Sequence, residues 1–124
     1  MSVAAFLFLI TGVLLNAAAQ LLLKGGTNRL GVITLNADNW ASMLTRMAGE
    51  GYFIAGVVFY GVSLVVWILG LSRVPVSVAY PMLSIGYIVN ALAAHYLFGE
   101  AVTTSRWLGI GFIVVGVYLV ARSA

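Results

Sequence analysis

Few side chains in this sequence can do chemistry, and most of them stand in apolar stretches. Between Val76 and Phe98, drawn on a helix at about 100° per residue, Ser77, Tyr80, Ser84, Tyr87 and His95 fall within a sector of roughly 80°, with Asn90 outside it. In the first apolar run, Gly12, Asn16, Gln20 and Lys24 recur at successive i, i+4 steps, so the three polar side chains share one side of a helix. Hydroxyls, phenols, carboxamides and one ammonium bind polar groups by hydrogen bonds and charge. In a membrane-length segment they are costly unless they face protein, water or a polar cargo. Two such stripes are what the walls of a binding or transport path require. Tyr60 and Trp67 are mid-segment aromatics placed to border such a path. Structural roles stand beside these readings. Asn16 and Gln20 can hydrogen-bond neighbouring helices, Lys24 can snorkel to headgroup phosphates, and His95 can simply reach the interface.

Other chemistries are excluded by what is missing. The chain has no cysteine, one histidine and no carboxylate inside an apolar segment, so neither a disulfide framework nor a metal constellation is expected. No nucleophile stands beside a base, and no glycine-rich turn matches a phosphate loop, so neither an enzyme nor a cofactor is expected. The net charge of +3 comes from six scattered Lys and Arg residues and forms no run suited to nucleic acid.

The elements that must position these residues follow from composition. The 124 residues are 63% hydrophobic and 7% charged, against about 25% charged in a soluble domain. Such a chain is an integral membrane protein, and its length allows one all-α domain over residues 1–124. Four transmembrane helices are expected at about 3–24, 51–72, 76–98 and 105–121. Ala17-Ala18-Ala19 resembles a cleavage site, but no Lys or Arg stands in the first ten residues and the apolar run continues past it, so a retained first helix is expected. Gly25-Gly26-Thr27-Asn28-Arg29 is expected to end that helix. In the long connection that follows, Asp38 can cap an amphipathic helix over 38–48 lying in the interface plane, with Trp40 at headgroup level.

In the second helix Gly56, Ser63 and Gly70 recur every seven residues and predict a close-packing seam. In the third, Pro81 and Gly86 predict a kink or hinge. Glu100 can cap the fourth helix or pair with Arg106. That helix, capped by Thr103 or Thr104 and bracketed by Trp107 and Tyr118, has glycines and no polar interior, which suits packing or dimer contact. Lys24, Arg29, Arg46 and Arg106 lie at one end and Arg73 and Arg122 at the other, a four-to-two bias toward loops one and three in the cytoplasm that is too small to fix the orientation. Four helices enclose little space, so a path is expected between two copies, or between this chain and a related one.

The segment Val74-Pro-Val-Ser-Val-Ala-Tyr-Pro-Met-Leu-Ser84 resembles the third-helix motif of the ArnE and ArnF family. The likeness extends through Gly99-Glu100-Ala-Val, Arg106-Trp107, the glycine-rich fourth helix and Gln20-Leu-Leu-Leu-Lys24, leaving out about Gly31 to Glu50. The resemblance implies a multi-pass protein of the bacterial inner membrane, a subunit of a flippase for 4-amino-4-deoxy-L-arabinose-phosphoundecaprenol that serves lipid A modification. It implies a small multidrug resistance-like bundle within the wider EamA-like drug/metabolite transporters, working as a homodimer or a heterodimer. The sugar head would meet Asn16, Gln20, Tyr60, Trp67, Tyr80, Ser84, Tyr87 and His95, the phosphate would meet Lys24, and the polyprenyl tail would stay in the lipid bilayer. The small multidrug resistance exporters also share Ala79-Tyr80 and Ser84, but their proton coupling depends on a glutamate where Asn16 stands here. An amide takes up no proton near neutral pH, which argues against a proton-driven exporter of cations or small metabolites. A further alternative is an accessory scaffold for a glycosyltransferase.

Overall fold

The computed structural model describes residues 2–34 and 36–123. Its elements, in chain order, are α1 (Val3–Leu30), α2 (Trp40–Ala48), α3 (Gly51–Leu71), α4 (Val76–Met82), α5 (Ser84–Phe98) and α6 (Thr104–Arg122). Four segments are long and apolar enough to span a bilayer: α1, α3, α6 and the combined stretch Val76–Phe98. The described residues are thus an all-α, four-span bundle.

The first helix corrects the expected boundary. It runs through Gly25-Gly26 to Leu30, where Gly31 takes a left-handed φ of 80° and its N–H donates to the Thr27 carbonyl at 2.8 Å. Its 28 residues span roughly 42 Å at 1.5 Å each, longer than the about 30 Å hydrocarbon core. The last turns, with Lys24 and Arg29, can therefore stand in the headgroup layer. The two glycines serve packing instead of a stop. A β-carbon on Gly26 would come within 2.9 Å of the Phe53 ring, and one on Gly25 would rest 3.6 Å from the Tyr52 ring.

The connection after α1 holds a helix, but it begins at Trp40 and not at Asp38. Asn39 occupies the cap position, and the Asn36 side-chain oxygen accepts the Asp38 and Asn39 backbone N–H groups at 2.9 and 3.0 Å. Met43 is buried, while Trp40 and Leu44 are exposed, the distribution of a helix with an apolar face left for lipid. Arg29 bridges Glu50 at 3.3 Å and lies over the Tyr52 ring, tying the end of α1 to the start of α3.

The α1–α3 pair is the frame of the bundle. Gly56, Ser63 and Gly70 are all buried on it, as their seven-residue spacing predicts. A β-carbon on Gly70 would meet Leu9 Cδ2 at 2.6 Å, one on Gly56 would meet Leu23 at 2.9 Å, and one on Gly12 would meet the Trp67 backbone nitrogen at 3.2 Å. The hydrophobic core lies in one half of the bundle, where Leu9 and Val13 of α1, Trp67 of α3 and Ala79 and Met82 of α4 pack together.

The third span breaks at Leu83, between the two residues expected to bend it. Pro81 has no N–H to give the Ser77 carbonyl, and Leu83 N–H donates instead to the Tyr80 carbonyl at 3.0 Å. Gly86 makes a close approach: its β-carbon would lie 3.3 Å from Val13 Cγ1. In consequence α4 belongs to the packed core, while α5 packs on α1 and hardly touches α3. The fourth span, α6, lies against α4 and α5 with no buried residue, and β-carbons on Gly109, Gly111 and Gly116 would meet nothing. Thr103 caps it by accepting the Arg106 N–H at 3.2 Å. Glu100 does not pair with Arg106, whose guanidinium donates to the Ala101 carbonyl at 2.9 Å.

The glycine contacts predict a split between two substitutions. Gly12→Val should destabilise the protein by about 1–3 kcal/mol through overpacking against the α3 backbone. Gly111→Val should stay within about 0.5 kcal/mol. Unfolding in monodisperse detergent by titration with a denaturing detergent measures both, and equal effects would remove the α1–α3 contact from its structural role.

Candidate functional site

Where α5 leaves α3, a polar cavity opens. Its larger lobe, about 400 Å³, is lined by Val13, Asn16 and Gln20 of α1, Tyr60 of α3, Leu83, and Gly86, Tyr87 and Asn90 of α5. A smaller lobe of about 210 Å³ shares Asn16, Tyr60 and Leu83 and continues toward Gly12, Ser63, Trp67 and Tyr80. The shared residues make the two lobes one site, within the size range of small-molecule pockets.

Each wall follows from the local fold. Asn16 and Gln20 face the same way because they are four residues apart on a straight helix. Tyr60 lies one turn before Ser63, whose hydroxyl donates to the Tyr60 carbonyl at 2.6 Å and so spends its polarity inside α3. Trp67 is buried under Tyr80, ring edge to ring face, with centroids 6.1 Å apart. That pair fixes the closed end of the smaller lobe. Tyr60, Tyr80 and Tyr87 are exposed, as is Gln20, so the cavity opens sideways out of the bundle.

Of the residues expected from the sequence, Asn16, Gln20, Tyr60, Trp67, Tyr80 and Tyr87 come together here. Lys24 is one turn beyond Gln20 and lines a separate groove with Thr27, Asn28 and Gly31. Ser84 is half-buried beside the helix break and lines neither lobe. His95 is far along α5, where its Nδ1 lies 2.9 Å from the Glu100 carbonyl and its ring meets Trp107 edge-on. There it pins the turn into α6.

Asn90 is the residue that the helical wheel set aside. The structure brings it into the larger lobe, because Leu83, Gly86, Tyr87 and Asn90 recur at i, i+3, i+4 and i+7 and share the face that borders the cavity. Its Oδ1 is buried and has no hydrogen-bond partner among the described residues. The signal that could have found it was chemical: a lone carboxamide in an apolar segment requires a partner, whatever its wheel angle.

No carboxylate, imidazole, ammonium or guanidinium lines the cavity, and no cluster of potential metal ligands occurs among the described residues. The arrangement offers neutral donors and acceptors with aromatic faces. It can hold a polar, hydroxyl-bearing group by hydrogen bonds.

Comparison with known proteins bears on what that group is. Residues 1–122 match the EamA-like transporter family. The chain is 44% identical over 69 residues to a Pectobacterium atrosepticum protein named a probable 4-amino-4-deoxy-L-arabinose-phosphoundecaprenol flippase subunit ArnE, covering 56% of this chain and 61% of that one. It is 44% identical over 94 residues to the protein of the same name from Pseudomonas syringae, covering 71% and 87%. With the one from Pseudomonas fluorescens it shares 34% over 110 residues, covering 84% and 96%. No solved structure matches the chain.

A cavity without acid or base makes a pH prediction. Binding of a phosphodiester lipid bearing a neutral sugar to the purified protein should be flat from about pH 6 to 8, because neither the phosphodiester nor a neutral sugar titrates there and no carboxylate or imidazole lines the cavity. A binding curve that bends in this window would reveal a titrating group in the path.

Proposed function

Because the chain belongs to the EamA-like transporter family, we propose that it is a flippase subunit moving an undecaprenyl-phosphate-linked sugar across the bacterial inner membrane. The favoured cargo is aminoarabinose-phosphoundecaprenol, delivered to the outer leaflet for lipid A modification, as the names of the relatives suggest. The observation that carries this reading is the uncharged cavity between membrane-length helices, lined by carboxamides and phenols among apolar side chains, that opens to the side. A sugar head can enter such a site from the membrane plane and exchange its water shell for carboxamides and phenols. The tail need not enter the protein.

The phosphate has a different host. Lys24 is exposed, one helical turn from Gln20 and about 6 Å along the axis, which is a suitable spacing for the group beside a bound sugar. An ammonium in the headgroup layer attracts the phosphate anion, and a carboxylate in the cavity would repel it. The excess of cationic residues at this end supports a cytoplasmic position for Lys24. The break at Leu83, flanked by Pro81 and Gly86, is the element on which α5 would swing to expose the head to the other side. The exposed tyrosines and the uncovered α6 support a partner that closes the cavity, either a second copy or a related four-helix subunit.

The test is transbilayer movement of the sugar lipid in vesicles holding this chain alone or with a related subunit. Lys24→Met should slow translocation several-fold while the helical circular dichroism is unchanged, and a wild-type rate in that variant would end the phosphate role. A wild-type protein that moves no lipid but gains lipophilic cations in a native mass spectrum would point to an exporter instead.

A further inference from the structure

Beside the turn Gly99–Thr103, α5 and α6 leave a groove of about 280 Å³ between them. Its floor is Ala91 and Ala94 of α5 with Gly109, Ile110 and Ile113 of α6. The space exists because these side chains are small near the turn: a β-carbon on Gly109 would meet nothing within 4 Å. On α6, Arg106, Gly109, Ile110 and Ile113 follow at i, i+3, i+4 and i+7 and so form one face, about 10 Å long. Val76–Phe98 and Thr104–Arg122 are both segments of membrane length, so the turn joining them belongs to the headgroup layer and the floor runs from there along the acyl chains.

Two opposite charges border the groove at the turn, Glu100 and Arg106. They are not spent on each other, since the one ion pair among the described residues is Arg29–Glu50. Glu100 is held through its backbone: its N–H donates to the Ala94 carbonyl at 3.2 Å, and its carbonyl lies 2.9 Å from His95 Nδ1. Arg106 donates to the Ala101 carbonyl at 2.9 Å, which leaves most of its guanidinium N–H groups free.

We propose that this groove binds a zwitterionic phospholipid with a primary ammonium, of the phosphatidylethanolamine kind. Its phosphate meets Arg106, its ammonium meets Glu100, and one acyl chain lies over Gly109 toward Ile113. Charge complementarity selects this occupant. A guanidinium matches a phosphate through paired N–H donors. A carboxylate accepts hydrogen bonds from a primary ammonium. A quaternary ammonium has none to donate and is held by aromatic rings, which the lining lacks. An anionic lipid would satisfy Arg106 but gain nothing from Glu100, which would repel its charge. The lipid supplies the contact between α5 and α6 that side chains do not. The site shares no residue with the polar cavity and does not depend on the cargo.

The full chain in mild detergent is titrated with phosphatidylethanolamine, phosphatidylglycerol and phosphatidylcholine of identical acyl chains, and bound lipid is counted by native mass spectrometry. Wild type should bind phosphatidylethanolamine about three- to fivefold tighter than the other two, the range expected of exposed charge contacts. Glu100→Gln should remove that preference, and Arg106→Gln should weaken all three lipids. Gly109→Leu, which fills the floor, should also weaken all three, while Gly111→Leu, outside the groove, should not. Equal binding of the three lipids by wild type overturns the proposal, as does a preference unchanged in Glu100→Gln. A Gly109→Leu variant that keeps its lipids but converts a two-chain mass to a one-chain mass gives the groove to a helix of a second copy, and overturns it as well.

Discussion

Close approach of the α1 and α3 backbones is the constraint on which the bundle depends. In lipid the hydrophobic effect does not drive helices together, because the tails are as apolar as leucine. What remains is contact between well-fitted surfaces, and that requires small residues where the axes come near. Gly12 lies against the Trp67 backbone, Gly56 against Leu23 and Gly70 against Leu9. Ser63 joins them because its hydroxyl is satisfied within its own helix, by the Tyr60 carbonyl. The remaining spans take their places from this pair: α4 completes the core with Ala79 and Met82, α5 leans on α1 at Gly86, and α6 rests on α4 and α5.

The cavity is a consequence of this order. Pro81 takes away a donor, the helix restarts after Leu83, and the second half follows α1 away from α3. The space so opened is lined by side chains that would be penalised in lipid, namely Asn16, Gln20, Tyr87 and Asn90. Their neutrality matters as much as their polarity. Carboxamides and phenols can replace the water around a sugar without the much larger cost of burying a charge. Lys24, the cation of α1 nearest the cavity, stands one turn beyond Gln20 and lines a separate groove.

The places where structure and sequence part company are instructive. Gly25-Gly26 reads as a stop because glycine ends helices, yet glycine also permits contact, and only the rings of Tyr52 and Phe53 beside it decide which use applies. Asp38 reads as a cap because it precedes an amphipathic run, but Asn36 gathers the turn and the helix starts two residues later. His95 shared a wheel sector with the tyrosines, and Asn90 did not. A wheel gives only the angle around the axis: the face turned to the cavity carries Gly86, Tyr87 and Asn90, and His95, about two turns beyond Tyr87, reaches the turn before α6.

The sequence by itself determined the solvent, the class and the chemistry. Its apolar composition and segment lengths require a bilayer and helices, because backbone groups in lipid must be satisfied within the segment. Its lack of cysteine and of carboxylates inside the apolar segments removes thiol, metal and carboxylate chemistry from those segments. The seven-residue recurrence of Gly56, Ser63 and Gly70 announced the α3 surface that α1 needs. Only the tertiary structure decided which polar residues meet. That depends on the direction each helix takes after a break and on which neighbour lies close, and neither distance nor direction between helices is written in the spacing along one of them.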